Sequence, residues 1–259
     1  MKAASLWIAP ENAQLNEIEY QKLAAVEDTM WWFRALRKNV LSLIERFAPR
    51  SAAPMLDAGC GTGGVLRAVE QVHGPAPLFG FDIFPGAASL AAASTRAHVA
   101  VASVNALPYP SGSFKCIFSL DVMCQRGVEP ARTLREFHRC LAPGGIVIIQ
   151  VPAYMWLWSY HDVQCHTAHR FTRHEVEMFL RAQGFKPRFA TYWNAMLLPL
   201  LAIRRKVLPV SHAETDVRKY PVLLDRIFSA VVSLDCKMIS HGFTLPFGSS
   251  VLVVAEKQA

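Results

Sequence analysis

Apolar residues return every three to four positions through Leu23, Val26, Met30, Phe33, Leu36, Val40, Leu43 and Phe47 before Pro49 ends the run. That period predicts one long amphipathic helix within residues 12–47. From residue 55 the rhythm changes. Short apolar runs predict strands at Met55–Ala58, Leu78–Ile83, 98–102, Phe114–Leu120, Ile146–Val151, Arg188–Tyr192 and Ser250–Ala255. Between them, helical periods predict helices near 63–73 and 86–95, over Glu129–Leu141 and over Glu175–Ala182. Pro143-Gly144-Gly145 reads as a tight turn into the fifth strand. Such alternation predicts an α/β fold, a doubly wound and mostly parallel sheet with helices on both faces. The interval 193–247 breaks the alternation. The apolar run Ala195–Ile203 leads into Arg204-Arg205-Lys206, and Val222–Ile239 carries Leu223, Ile227, Phe228, Val231 and Leu234 on one stripe. Two helices pairing as a cap are expected there.

Composition narrows the class. At 52% apolar and 18% charged over 259 residues, the chain has apolar surface enough for one good core. The net charge of +7 is spread along the chain, which suits an anionic partner (nucleic acid, acidic headgroups, a phosphorylated substrate) as well as a plain basic surface. Six cysteines at 60, 116, 124, 140, 165 and 236 include no Cys-x-x-Cys. Neither a disulfide framework nor a zinc knuckle is expected, and a reducing cytoplasm fits. Met1 to Pro10 lacks the long apolar core of a secretory signal. No run reaches the roughly 18 apolar residues of a spanning helix.

The densest chemical signal is Met55-Leu56-Asp57-Ala58-Gly59-Cys60-Gly61-Thr62-Gly63-Gly64, a strand that runs into a glycine-rich turn and then a helix. Glycines at 59, 61 and 63 allow positive φ and close approach of a ligand, and the helix N-terminus adds free N–H groups. Asp82, closing the next strand in Gly80-Phe81-Asp82, can accept both hydroxyls of a ribose. Two later landmarks follow in order: Leu107-Pro108-Tyr109 with Ser119-Leu120-Asp121-Val122, and Leu134-Arg135-Glu136-Phe137 with Leu141-Ala142-Pro143-Gly144-Gly145.

Read together, residues 55–151 resemble the class I S-adenosylmethionine-dependent methyltransferases. The resemblance implies a Rossmann-like sheet of seven strands with an antiparallel last strand. It also implies S-adenosyl-L-methionine as cofactor, held by Asp57, Gly59, Cys60, Gly61, Gly63, Asp82, Ile83, Ser103, Val104, Asn105, Leu120 and Asp121. Two positions depart from the family. Ser103 stands where relatives carry an acid against the adenine, and Cys124-Gln125 where many carry Glu-His. The implied organisation is an N-terminal helical extension (1–50), a cofactor-binding core (51–192) with a lid (152–173), a helical cap (193–247) and a final core strand (248–259).

The lid holds Tyr154, Trp158, His161, Asp162, His166, His169 and Arg170. Its segments Trp158–Asp162 and His166–Thr172 resemble a subgroup of bacterial methyltransferases, with Phe171 where that subgroup has Tyr. The subgroup also shares Trp31–Arg34 and Leu245–Ser250. His161, with Asp162 and His166, is the candidate catalytic group, because an unperturbed imidazole titrates near neutrality. A metal site fits no standard zinc spacing, and a purely structural lid is the competing reading. Trp31, Trp32, Arg34, Gln125, Tyr154, Trp158, His169, Arg170 and Trp193 are the candidate acceptor contacts. The expected partner is a small-molecule acceptor methylated at oxygen or nitrogen, apolar, lipid-linked or anionic. Residues 195–206 offer a peripheral membrane contact. A nucleic-acid acceptor is disfavoured by Asp121-Val122-Met123-Cys124, which lacks an Asn/Asp-Pro-Pro-Tyr/Phe motif. A non-catalytic cofactor-binding protein is the reading from another class.

Overall fold

The computed structural model describes residues 20–48, 53–74, 76–207 and 216–258. Its elements run α1 (Trp31–Phe47), β1 (Met55–Ala58), α2 (Gly64–His73), β2 (Leu78–Asp82), α3 (Pro85–Ser94), β3 (His98–Val101), β4 (Phe114–Leu120), α4 (Pro130–Cys140) and β5 (Leu141–Pro152). A 3-10 turn (Met155–Leu157) and α5 (Tyr160–Gln164) follow. Then come α6 (Arg173–Ala182), β6 (Phe185–Trp193), α7 (Leu198–Lys206), α8 (Val222–Ser240) and β7 (Ser250–Lys257).

One sheet holds the strands in the order β3-β2-β1-β4-β5-β7-β6. The first five are parallel, and β7 enters antiparallel between β5 and β6. This is the Rossmann-like arrangement with an antiparallel last strand. Alternate side chains feed two cores. On one face Leu56, Ile117, Val147 and Val253 meet Leu134 and Phe137 of α4 and Val176 and Leu180 of α6. On the other, Phe118, Ile148, Leu252 and Val254 meet α1, α2 and α8 through Val40, Leu66 and Val232. Strand order reverses between β1 and β4, so the crevice at their carboxyl ends is where such a sheet takes a ligand.

Three expectations are corrected. The long N-terminal helix is interrupted: residues 20–24 are helical, 25–30 form turns, and α1 starts at Trp31. Residues 12–19 lie outside the described residues. The interruption has a cause in Arg37, which donates to the carbonyls of Glu27 (2.8 Å) and Asp28 (3.3 Å) and so binds carbonyls that a continuous helix would use itself. Pro143-Gly144-Gly145 is no turn before a strand but lies within β5, where the register with β4 shifts between Phe114 and Cys116. The two cap helices do not pair mainly with each other. Helix α8 packs along α1, and α7 packs on the 3-10 turn.

Candidate active site

The glycine loop is built as its composition demands. Gly59 and Cys60 both donate to the Phe81 carbonyl at 2.9 Å, which ties the end of β1 to β2. Gly59 adopts φ 92, and a Cβ there would stand 2.3 Å from Val122 Cγ2. Gly61 (φ 53) differs: no atom lies within 4 Å of its Cβ position, and its N–H donates to Asp82 Oδ2 at 2.9 Å. Asp82 Oδ1 accepts from the Phe84 N–H at 3.0 Å. Burial raises the Asp82 carboxyl above its ordinary range, against the pull of these amides. Asp57 is buried beside it and is raised much further, by burial first and then by the charges of Asp82 and Glu27. Three carboxylates therefore converge on a loop whose Thr62 hydroxyl is buried without a partner among the described residues. A cationic or hydroxyl-bearing ligand suits that donor set.

Glu27 was not foreseen from the sequence. It is buried against the N-terminus of α2, where a Cβ on Gly64 would meet Glu27 Oε2 at 2.6 Å. Arg67 holds it at 2.6 Å and also reaches Asp28 Oδ1 (2.9 Å), Ser94 Oγ (2.9 Å) and the Thr62 carbonyl (3.1 Å). The N-terminal segment is thereby latched onto the glycine loop. An acid inside an apolar helical period was the available signal.

Around the remaining cofactor candidates the side chains divide. Ile83 is half-buried at the cleft edge. Val104 is buried in the core, and Asn105 is committed to tethering its loop. Its amide donates to the Gly127 carbonyl (2.7 Å) and accepts from the Glu129 N–H (3.0 Å) and the Thr133 hydroxyl (3.1 Å). Ser103 Oγ accepts only the Asn105 N–H, at 3.3 Å. Leu120 ends β4, and Asp121 after it takes φ 56, a left-handed conformation that marks functional turns. Asp121 Oδ2 accepts from Gln150 Nε2 at 2.9 Å. Burial pushes its carboxyl up to about 6, opposed by the Gln150 hydrogen bond and the Arg170 charge. The other amide atom, Gln150 Oε1, is buried with no partner among the described residues. Gln150 was also missed, although one polar residue in the apolar run Ile146–Val151 is a visible anomaly.

The lid forms a buried charged network. Arg170 Nε donates to Asp162 Oδ1 at 2.7 Å and its Nη1 to the Ala153 carbonyl at 2.6 Å. Arg205 of α7 lies 3.7 Å from Asp162 and donates to Asp216 Oδ2 at 2.6 Å. His161 Nδ1 accepts from the Asp216 N–H at 3.2 Å, and burial lowers its proton affinity. In that tautomer Nε2 carries the ring proton. His166 takes φ 53, and its carbonyl accepts from the Arg126 N–H. His169 stands 3.5 Å from Glu175 and edge-on to Phe171. It shares with Gln125 a pocket of about 330 Å³ between the β4 turn and α6, away from the glycine loop. Gln125 itself donates to the Asp121 carbonyl at 3.0 Å.

Of the acceptor candidates, two tryptophans meet. Trp32 lies 5.5 Å from Trp193 ring to ring. Trp31 packs on Phe228, and the indole nitrogens of Trp31 and Trp193 are buried without partners among the described residues. Arg34 is pinned to α8 through Asp225 (2.6 Å) and Ser229. Tyr154 (φ 58) stacks on Tyr192 at 5.0 Å, and the Trp158 carbonyl accepts from Lys206. Among the described residues no cluster of three or more metal-ligating side chains occurs.

Comparison with known proteins agrees with this architecture. A family model described as "Methyltransferase domain" matches residues 32–192. An uncharacterized protein of transposon TN4556 from Streptomyces fradiae is 27% identical over 177 residues, 66% of this chain and 49% of that protein. The malonyl-[acyl-carrier protein] O-methyltransferase of Halorhodospira halophila is 33% identical over 114 residues, 41% of this chain and 38% of that enzyme. The chain thus spans half or less of the length of these two relatives. Among solved structures, the complex of the Haloferax volcanii Trm112 methyltransferase activator with a candidate methyltransferase matches with a TM-score of 0.65. The two are 18% identical over 98% of this chain and 100% of that one. With the family model covering more than half its length, the chain belongs to the methyltransferase domain family.

Proposed function

We propose that this protein is a class I S-adenosylmethionine-dependent methyltransferase acting on a small-molecule acceptor at oxygen or nitrogen. The observation that carries the reading is the open space over Gly61, whose N–H is held by Asp82. Asp82, already fixed by two backbone amides, has the geometry to take ribose hydroxyls. Asp57 and Glu27 supply negative charge for the ammonium of the methionine end, which offsets the burial and, after it, the like-charge repulsion that raise Asp57. S-adenosylmethionine, when bound, supplies an electrophilic methyl on a sulfonium. The chain's part is to orient the acceptor and remove its proton.

For the proton, the geometry favours Asp121 over His161. Asp121 follows β4 at the switch point, is held by Gln150, and with a pKa of about 6 is ionised at neutral pH yet still basic enough to accept a proton. His161 spends Nδ1 on the Asp216 amide, so acting as a base requires the lid to open. Trp32, which packs on buried Trp193, is the apolar side chain offered to the acceptor. The O-methyltransferase named among the relatives supports an oxygen acceptor.

Calorimetry with S-adenosylmethionine and with NAD tests the cofactor. S-adenosylmethionine alone is expected to bind, and binding of NAD alone would overturn the reading. Radiolabelled methyl transfer into lipid, small-molecule and nucleic-acid fractions of an extract then tests the acceptor. Label confined to nucleic acid would refute the small-molecule class.

A further inference from the structure

The helical face of α8 that packs against the protein carries Val232, Asp235, Cys236 and Ile239, all buried. The opposite face repeats Leu223, Ile227 and Leu234 at helical spacing and points into solvent. Leu200 and Ile203 of α7, and Val207 just after it, do the same, and no residue of α7 is buried. These six side chains are between 46% and 71% exposed. Isolated exposed leucines need no explanation, but two regular stripes on consecutive helices do.

Charge on the same elements is sorted by sign. Lys206, Arg218, Lys219, Arg226 and Lys237 are exposed. Each acid among the described residues of 196–240 is turned inward. Asp216 is held by Arg204 (3.1 Å) and Arg205 (2.6 Å), and Asp225 by Arg34 (2.6 Å). Buried Asp235 accepts the Ala195 N–H at 2.6 Å. The outward surface is therefore apolar and cationic. The Arg204 and Arg205 ion pairs also join the end of α7 to the segment entering α8, so both helices are anchored to one unit.

We propose that this face of the cap docks onto the surface of an anionic lipid bilayer, with the two stripes shallowly inserted and the flanking lysines and arginines at the headgroups. Neither helix crosses: among the described residues no helix is long and apolar enough to do so. The chemistry discriminates against a second copy of the chain. A two-fold contact through this face would set its cations against the same cations. Lysine is also depleted from protein–protein interface cores. Docking stands independently of methyl transfer, although it would put the cap beside lipid-held acceptors if that reading holds.

Flotation of the full chain with phosphatidylcholine vesicles, with and without phosphatidylglycerol, tests the proposal. Binding is expected only with phosphatidylglycerol and is expected to fall as salt rises. Lys219→Ala and Arg226→Ala should each lower the partition coefficient about fivefold, and Leu223→Glu with Ile227→Glu should abolish binding. All four positions face solvent, so folding is spared. Circular dichroism and S-adenosylmethionine affinity on the same preparations verify this and report separately on the cofactor reading. Failure to float with either vesicle, or flotation indifferent to these variants, overturns the proposal. A concentration-dependent dimer that Leu223→Glu dissolves, with no flotation, assigns the face to a second copy instead.

Discussion

Gly59 and Gly61 stand two residues apart in one loop, yet the structure gives them different duties that alanine separates. At Gly59 a methyl would meet Val122 Cγ2 at 2.3 Å, on a backbone at φ 92. The positive φ costs an L-residue about 1–2 kcal/mol, and overpacking a filled contact costs about 1–3 kcal/mol. Gly59→Ala is therefore expected to lose about 2–5 kcal/mol, a large part of the roughly 5–15 kcal/mol that holds a folded domain. At Gly61 the space is open, so only the backbone cost of about 1–2 kcal/mol applies. The methyl would instead occupy the space assigned to the cofactor. Urea unfolding followed by circular dichroism should show a large fall in midpoint for Gly59→Ala and a small one for Gly61→Ala. Calorimetry should show S-adenosylmethionine affinity down at least tenfold, about 1.4 kcal/mol, in Gly61→Ala. Wild-type affinity in Gly61→Ala would refute the assignment of that space, and equal midpoints for the two variants would refute the Val122 contact.

Asp82→Asn replaces one of the two oxygens that accept the Gly61 and Phe84 N–H groups with a donor, so it is expected to lower stability by about 1–3 kcal/mol in urea unfolding and to weaken S-adenosylmethionine binding tenfold or more; calorimetry decides. At Asp121 the folded state raises the carboxyl from 3.8 to about 6, so it holds the proton more tightly than the unfolded chain. That stabilisation is complete below the unfolded value and is lost as pH rises through the folded one. Asp121→Asn keeps a left-handed turn that Asn tolerates, and should gain about 3 kcal/mol of stability at pH 7 and nothing near pH 3. Methyl transfer should be lost, and unfolding curves at the two pH values with a transfer assay check both. Arg170→Met leaves buried Asp162 with its remaining charge partner 3.7 Å away at Arg205. It should cost about 3–5 kcal/mol, much of it recovered in the double variant with Asp162→Leu, as read by thermal melting. His161→Ala should retain transfer with an apparent pKa near that of Asp121; a pH–rate profile that loses its acid limb would return the base to His161.

What the sequence made legible is what depends on near neighbours. The glycine loop, Asp57 at the end of one strand and Asp82 at the end of the next are separated by one crossover, and strand period and turn chemistry suffice to align them. Arg34 and Asn105 show where that logic stops. Arg34 is paired with Asp225, 191 residues away, and Asn105 with the loop and helix start 22 to 28 residues on, partners that period and spacing do not reveal. Helix α8 makes the physical reason clearest. Its period puts Leu223, Ile227, Phe228, Val231 and Leu234 on one stripe, yet Leu223, Ile227 and Leu234 are exposed while Phe228 and Val231 are half-buried, so period alone does not say which side is wet. The wet side is decided by Asp235, a residue that hydrophobic patterning would put in solvent. The start of the cap leaves the Ala195 N–H without a helical partner, and Asp235 turns inward to accept it. The buried face follows that hydrogen bond and the fit of Val232, Cys236 and Ile239 against α1. Satisfying one backbone donor thus turns an apolar stripe outward, and the exposed stripe is what the vesicle experiment interrogates.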